Sequence, residues 1–273
     1  MNTTLSFNRL VSIGLWIAGG GTALFLIAPI LAIVPLSFNA EPFFTYPMPG
    51  LSLRWYEEFL ASGVWRLALA NSIIVAIFAT LLSTVLGTLA AIGLSQADCP
   101  ARATLTAILI SPIIVPVVVA AVGIYYAFAA VGLLNSLTGL VLAHTVLGAP
   151  FVVVTVTAAL SGFDHNLMRA ASSLGATPVE AVFRIMLPLI APGVASGALF
   201  AFVTSFDEVV VALFISGSEQ RTLPRQMWSG VRETLSPTIA AVATLLIIFS
   251  TLFLATIQWL QKRAEQQKMR SEG

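Results

Sequence analysis

Long apolar runs alternate with shorter polar stretches along most of this chain. A helix rising 1.5 Å per residue needs about 20 apolar residues to cross a hydrocarbon core of ~30 Å. Six stretches meet that length: about Ser12–Ser37, Leu67–Leu94, Thr104–Ala129, Leu137–Leu160, Ala191–Ile215 and Pro237–Leu260. In lipid each must be helical, because an open backbone would leave its polar groups unsatisfied. The pattern predicts an all-α membrane protein with six transmembrane helices. No internal repeat and no low-complexity segment interrupts it.

The polar stretches set the topology. Arg9 precedes an apolar run from Leu10 to Phe38, far longer than the ~7–15 residues of a signal-peptide core, so the first run reads as a retained span. With the N-terminus inside, the inner segments hold Arg9, Arg102, Arg169, Arg184, Lys262, Arg263, Lys268 and Arg270. The outer segments hold Arg54, Arg66, Arg221, Arg225 and Arg232. The bias is small, and the basic tail decides it: both termini are expected on the cytoplasmic side. Two sizeable outer segments follow, Asn39–Arg66 and Ser216–Ser236. The first carries Phe43, Phe44, Tyr46, Trp55 and Tyr56, expected as interfacial anchors. The second contains Leu223-Pro224-Arg225-Gln226-Met227-Trp228, a predicted short surface helix. Ser161–Ile190 is the longest inner loop.

Composition narrows the class. Of 273 residues, 58% are hydrophobic and 9% charged, so lipid must solvate much of the surface. A net charge of +1 argues against a nucleic-acid partner. The lone Cys99 cannot form an internal disulfide and reads as a loop residue. His144 and His165 have no second ligand at metal spacing, and His144 reads as a hydrogen-bonded packing residue. Neither lysine lies in a G-x-x-x-x-G-K-[ST], and H-E-x-x-H and G-x-S-x-G are missing.

Small residues mark packing faces. Ala79, Ser83, Gly87, Ala91 and Ser95 recur every fourth position in the second span, and Gly193 and Gly197 open the fifth. Such stripes let helices approach closely in lipid, where no hydrophobic drive joins them. Pro112, Pro116 and Pro150 are expected to kink the third and fourth spans.

The inner loop carries the most specific pattern. A first short helix over Arg169–Leu174 is expected to stop at Gly175 in the left-handed conformation. Thr177 then serves as N-cap, Pro178 takes the first helical position, and Glu180 completes a capping box. The second helix is expected to end near Leu187-Pro188. Leu174, Val182 and Phe183 would then face a partner outside the bilayer, or an interfacial helix would lie on the membrane.

This loop resembles the signature of bacterial ATP-binding cassette import permeases: Glu-Ala-Ala, three residues, Gly, nine residues, Ile, one residue, Leu-Pro. Ala170, Ala171, Gly175, Ile185, Leu187 and Pro188 stand at matching positions, and Arg169 replaces the Glu. Asn71-Ser72, Ser205-Phe206-Asp207-Glu208 and Thr222-Leu223-Pro224 with Met227-Trp228 are similar to the spermidine/putrescine branch. The resemblance covers about Arg54 to Leu260. It implies a single permease domain over 1–273, with loop 161–190 as a coupling helix that docks on a separate ATPase dimer. It implies no cofactor on this chain and no enzymatic activity. ATP and Mg would be held by the ATPase. A second permease chain, different from this one, would complete the pore, and an extracytoplasmic binding protein would deliver substrate. All of this would sit in the bacterial inner membrane.

Two acids stand within the fifth span. Asp207 lies about 9 residues from Ser216, roughly 14 Å along a helix and near mid-depth. A charge there costs at least ~2.5 kcal/mol on insertion scales, so it should face a partner or water. Either one of Asp207 and Glu208 attracts a cationic solute, with Phe202, Phe206 or Trp228 offering ring faces, or the acids pair structurally. The expected function is therefore an ATP-driven importer subunit for polyamines or a related small cation. Permeases for an opine, iron or a sulfur compound share much of the pattern. A stand-alone secondary transporter would need coupling-ion sites and usually internal repeats. A membrane enzyme would need a polar catalytic cluster.

Overall fold

The computed structural model describes the backbone of residues 2–45, 47–96, 99–233 and 235–271, and side chains except those of 2–10, 253, 254 and 257–271. Tyr46 and the side chains of Arg9, Lys262, Arg263, Lys268 and Arg270 thus lie outside the described residues. Among the described residues every regular element is helical, with one isolated antiparallel bridge, Asn39 to Leu51. The chain forms two compact units, Met1–Gly63 with Gly230–Gly273, and Val64–Ser229.

In the first unit, α1 (Asn2–Leu36) and α2 (Arg54–Ala61) pack on α12 (Pro237–Ser271). The aromatic-rich connection turns inward in part. Trp55 is 4% exposed and donates from Nε1 to the carbonyl of Asn39 at 2.6 Å. Asn39 in turn donates from Nδ2 to the carbonyl of Phe43, and Ser37 Oγ pairs with the Tyr56 hydroxyl. Trp55 therefore pins the start of this connection from a buried position instead of standing exposed. Burial satisfies its one donor and hides its apolar ring, which exposure would not. Phe43 and Phe44 do stand exposed.

In the second unit, α3 (Gly63–Ser95) and α9 (Leu187–Asp207) flank α6 (Leu137–Ser161). Small residues set both contacts. A Cβ on Gly87 of α3 would fall 2.7 Å from Val152 Cβ, and Ser83 Oγ donates to the Thr145 carbonyl of α6. A Cβ on Gly193 of α9 would fall 2.5 Å from Ala159 Cβ, and one on Gly197 would overlap Thr155 Oγ1 and Val152. Val152 and Val156 of α6 are buried between these neighbours, with Ala91, Ile190 and Ala201.

Three expected features change. The third apolar run is two helices, α4 (Arg102–Ile114) and α5 (Val117–Val131), bent by 106°. Val115 is extended at φ −69°, ψ 132°, because Pro116 disfavours the helical region for the residue before it. Pro150, by contrast, lies inside an unbroken α6. The fifth run stops at Asp207; α10 (Val210–Ile215) resumes after an extended Glu208 at φ −71°, ψ 118°. Finally, the loop's second helix does not end at Leu187-Pro188. α8 (Pro178–Ala181) passes through a π-helical turn, Val182–Met186, straight into α9. Pro188 has no N–H to offer, and the wider turn absorbs the register change, with Leu187 N–H donating to the Val182 carbonyl. Among the described residues, four helices are long and apolar enough to cross a membrane, and the bent pair makes up to five. The apolar stretch of α12 that can be assessed, Pro237–Leu252, is shorter.

Candidate functional site

The break between α9 and α10 separates the two acids by role. Glu208 is half-buried and its Oε1 accepts the Val211 backbone N–H at 2.8 Å, which caps α10. Asp207 is exposed and has no hydrogen-bond or ionic partner among the described residues. It also sits at a helix C-terminus, where unpaired carbonyls carry partial negative charge. A carboxylate and a helix end of the same sign form a place for a cation. Phe202 and Phe206, on the preceding turn, stack with centroids 5.7 Å apart and planes 13° from parallel. Trp228 stands exposed on α11 (Leu223–Glu233) and makes no hydrogen bond or ring contact among the described residues. The structure thus brings Phe202, Phe206, Asp207 and Glu208 onto one broken helix, and places Trp228 on a separate one.

Residues 216–229 are held by side chains that sequence spacing gives no reason to connect. Asn71 of α3 donates from Nδ2 to the carbonyls of Glu219 and Arg221 at 2.8 and 3.0 Å. Ser72 Oγ accepts the Leu223 N–H. Arg225 of α11 reaches back to the carbonyls of Ser216 and Gly217. Burial first, and then the neighbouring Arg221, lower the Arg225 pKa from its ordinary value. The loop that follows α10 is therefore fixed to both α3 and α11.

The loop 161–190 is equally defined. α7 (Asn166–Ser173) ends in a full αL closure: Gly175 has φ 85°, Gly175 N–H donates to the Ser172 carbonyl, and Ala176 N–H to that of Ala171. Thr177 Oγ1 accepts the Glu180 N–H while a Glu180 carboxylate oxygen accepts the Thr177 N–H at 3.0 Å. Ala171 is buried beneath this turn, and Ile185 and Leu187 are half-buried. Leu174, at 89% exposed, and Phe183, at 65%, face away, with Val179 beside them. Val182 does not join that face. It packs inward near Met186 and Ile190, because the π turn rotates it toward the core. Arg169, Ala170 and Pro188 are exposed. A cleft of about 510 Å³ separates the end of α3 from this loop, lined by Ile92, Gln96, His165, Arg169, Val182 and Met186.

Sequence reasoning left open which acid is structural. In the sequence Glu208 stands inside one apolar run, and nothing in its spacing marks it as the residue that caps a second helix. The contact between His144 and Ser205 carried no sequence signal.

Many apolar helices, a capped polar loop and close small-residue packing describe a multi-span helical membrane protein. Residues 83–267 match the family of binding-protein-dependent transport system inner membrane components, and the chain belongs to that family. It is accordingly a multi-pass inner membrane transport component and not an enzyme. Over 239 residues it is 33% identical to the spermidine/putrescine transport system permease protein PotC of Haemophilus influenzae, covering 88% of this chain and 93% of the relative. It is 34% identical over 254 residues to the putrescine transport system permease protein PotI of Escherichia coli, covering 90% of each. A bacterial ABC transporter that imports the acidic polysaccharide alginate shares the fold, with a TM-score of 0.72 at 16% identity, over 92% of this chain and 96% of that one.

Proposed function

We propose that this chain is one permease subunit of an ATP-driven importer for putrescine, spermidine or a related small organic cation. It forms a single permease domain of six spans with both termini in the cytoplasm. The observation that carries the substrate class is Asp207: a carboxylate with no partner among the described residues, at the broken end of α9, in a chain similar over nearly its whole length to PotC and PotI. A protonated amine offers what that site lacks, and stacked Phe202 and Phe206 add ring faces close by.

The energy enters elsewhere. The chain has no phosphate-binding loop, so ATP and Mg belong to a partner ATPase dimer. The loop 161–190 is the coupling element on the cytoplasmic side, with Arg169, Ala170, Ala171, Leu174, Gly175, Ile185, Leu187 and Pro188 forming its frame. Leu174 and Phe183 supply an exposed apolar face for that docking. A second, different permease chain closes the pore, and an extracytoplasmic binding protein delivers substrate. ATP and substrate need only bind two states with different affinity to drive alternating access.

The test is uptake of labelled putrescine by the intact assembly in vesicles loaded with ATP. Uptake that follows ATP and weakens at least about tenfold in KM with Asp207→Asn is expected. Uptake that follows an ion gradient instead, or an unchanged KM in Asp207→Asn, would overturn the reading.

A further inference from the structure

His144 is 1% exposed on α6, an apolar helix that has no evident need for a histidine. Its Nδ1 lies 3.1 Å from the main-chain oxygen of Ser205 and 2.9 Å from Ser205 Oγ. A carbonyl oxygen only accepts, so the proton belongs on Nδ1, and Nδ1–H donates to Ser205. Nε2 is buried with no partner among the described residues, so Ser205 is the contact that accounts for the imidazole.

The identity of that carbonyl matters. In an uninterrupted helix the Ser205 carbonyl would take the N–H of Val209, four residues on. The extended backbone of Glu208 carries Val209 away. His144 replaces the donor that the break removes. On the other side of the break, Glu208 Oε1 takes the Val211 N–H at 2.8 Å. One orphaned backbone group on each side of the interruption is therefore satisfied by a side chain, one from α6 and one from the break itself. An unsatisfied carbonyl in an apolar surrounding is costly, so without the histidine the end of α9 opens to a partner such as water more often.

We propose that His144 is a positioning residue that latches α6 to the end of α9. It fixes where α9 stops, and so fixes the stance of Asp207 and Glu208. The transport consequence rests on the reading of Asp207 as the cation site; the latch itself does not.

Two measurements on the assembled transporter separate these claims. Hydrogen exchange of a peptide spanning Phe206–Leu213 reads the break directly. In His144→Leu it should run about tenfold faster than in the parent protein, with peptides of α3 unchanged. His144→Asn places an amide N–H close to the former Nδ1 and should restore parental exchange. His144→Gln sets its amide one carbon further out and should behave like the leucine variant, which covers the case that leucine blocks assembly. Unchanged or slower exchange in both latch-less variants, or asparagine failing to rescue, would overturn the latch. The KM for putrescine should rise with leucine or glutamine and not with asparagine. Faster exchange with an unaltered KM would leave the latch standing and remove Asp207 as the cation site.

Discussion

Ser72 accepts the backbone N–H of Leu223 through its Oγ at 2.7 Å, across 151 positions of sequence. Asn71, the next residue back, donates to the carbonyls of Glu219 and Arg221. Two adjacent side chains in the third turn of α3 thus hold the segment that leads into α11. Such a segment has no helix or sheet of its own to satisfy its backbone, so neighbouring polar side chains must do so.

Ser72→Ala leaves the Leu223 N–H buried without an acceptor. The expected loss is about 1–3 kcal/mol, seen as a lower unfolding midpoint of the purified assembly. Ser196 makes a fair comparison, since it is only half-buried and its hydroxyl returns to the Pro192 carbonyl of its own helix. Ser196→Ala should stay within ~0.5 kcal/mol of the parent. Equal effects from the two would show that the α3 contact to Leu223 has no special role.

The close approach of α6 and α9 makes a second prediction. A Cβ at Gly197 would overlap Thr155 Oγ1 and stand 2.8 Å from Val152 Cα, a backbone atom that cannot swing aside. Gly197→Ala should destabilise by about 1–3 kcal/mol through overpacking. Gly93→Ala meets no atom within 4 Å and should be neutral or slightly stabilising, since alanine is the better helix former. Thermal unfolding of both variants in the same detergent decides it.

How much of this was legible in the sequence follows from the range of each interaction. The turn at Gly175 and the cap from Thr177 to Glu180 depend on neighbours a few residues apart, so spacing alone located them. The stripe at Ser83 and Gly87 named one partner in a contact but not the other. Val152 and Thr145 are ordinary residues in an apolar run, and only folding shows that α6 is what α3 meets. The bend at Val115 was half visible, because Pro116 announces a local interruption but not an angle of 106°. The break at Glu208 was not visible. Residues 191–215 are apolar enough to span as one helix, and the interruption depends on His144 and on a carboxylate that folds back on Val211. Val182 escaped for a related reason: helical spacing places it on the exposed face, and the π turn rotates it inward.

The loop 161–190 should respond to acid through Glu180. Hydrogen bonds from the Thr177 backbone and then its hydroxyl lower the Glu180 pKa from its ordinary value. A carboxylate with a depressed folded pKa contributes stability that is present above its unfolded pKa and is lost as pH falls through the folded one. Protection of the Thr177–Ala181 amides, taken relative to their intrinsic exchange rate at each pH, should therefore fall on acidification below about pH 4.5, earlier than the unfolding of the whole assembly. Thr177→Ala should quicken the same amides at neutral pH and flatten the dependence. Identical profiles in parent and variant would mean that the box does not hold this turn.

Glu208 and Asp207 should separate cleanly under conservative substitution. Glu208→Gln keeps a carbonyl oxygen where Oε1 accepts the Val211 N–H, so α10 keeps its cap although the charge is gone. Its putrescine KM should stay within about threefold of the parent, because the removed charge was already engaged with a backbone donor. Glu208→Ala removes the acceptor itself and should lower the unfolding midpoint, by the ~0.5–2 kcal/mol typical of a lost cap. Asp207→Asn removes a charge that no group among the described residues offsets, at a helix end whose own polarity favours a cation. It should weaken KM while leaving the unfolding midpoint unchanged. The opposite assignment, KM rising in Glu208→Gln and stability falling in Asp207→Asn, would require the two side chains to exchange places across the break. Transport kinetics and thermal unfolding on the same three variants tell these arrangements apart.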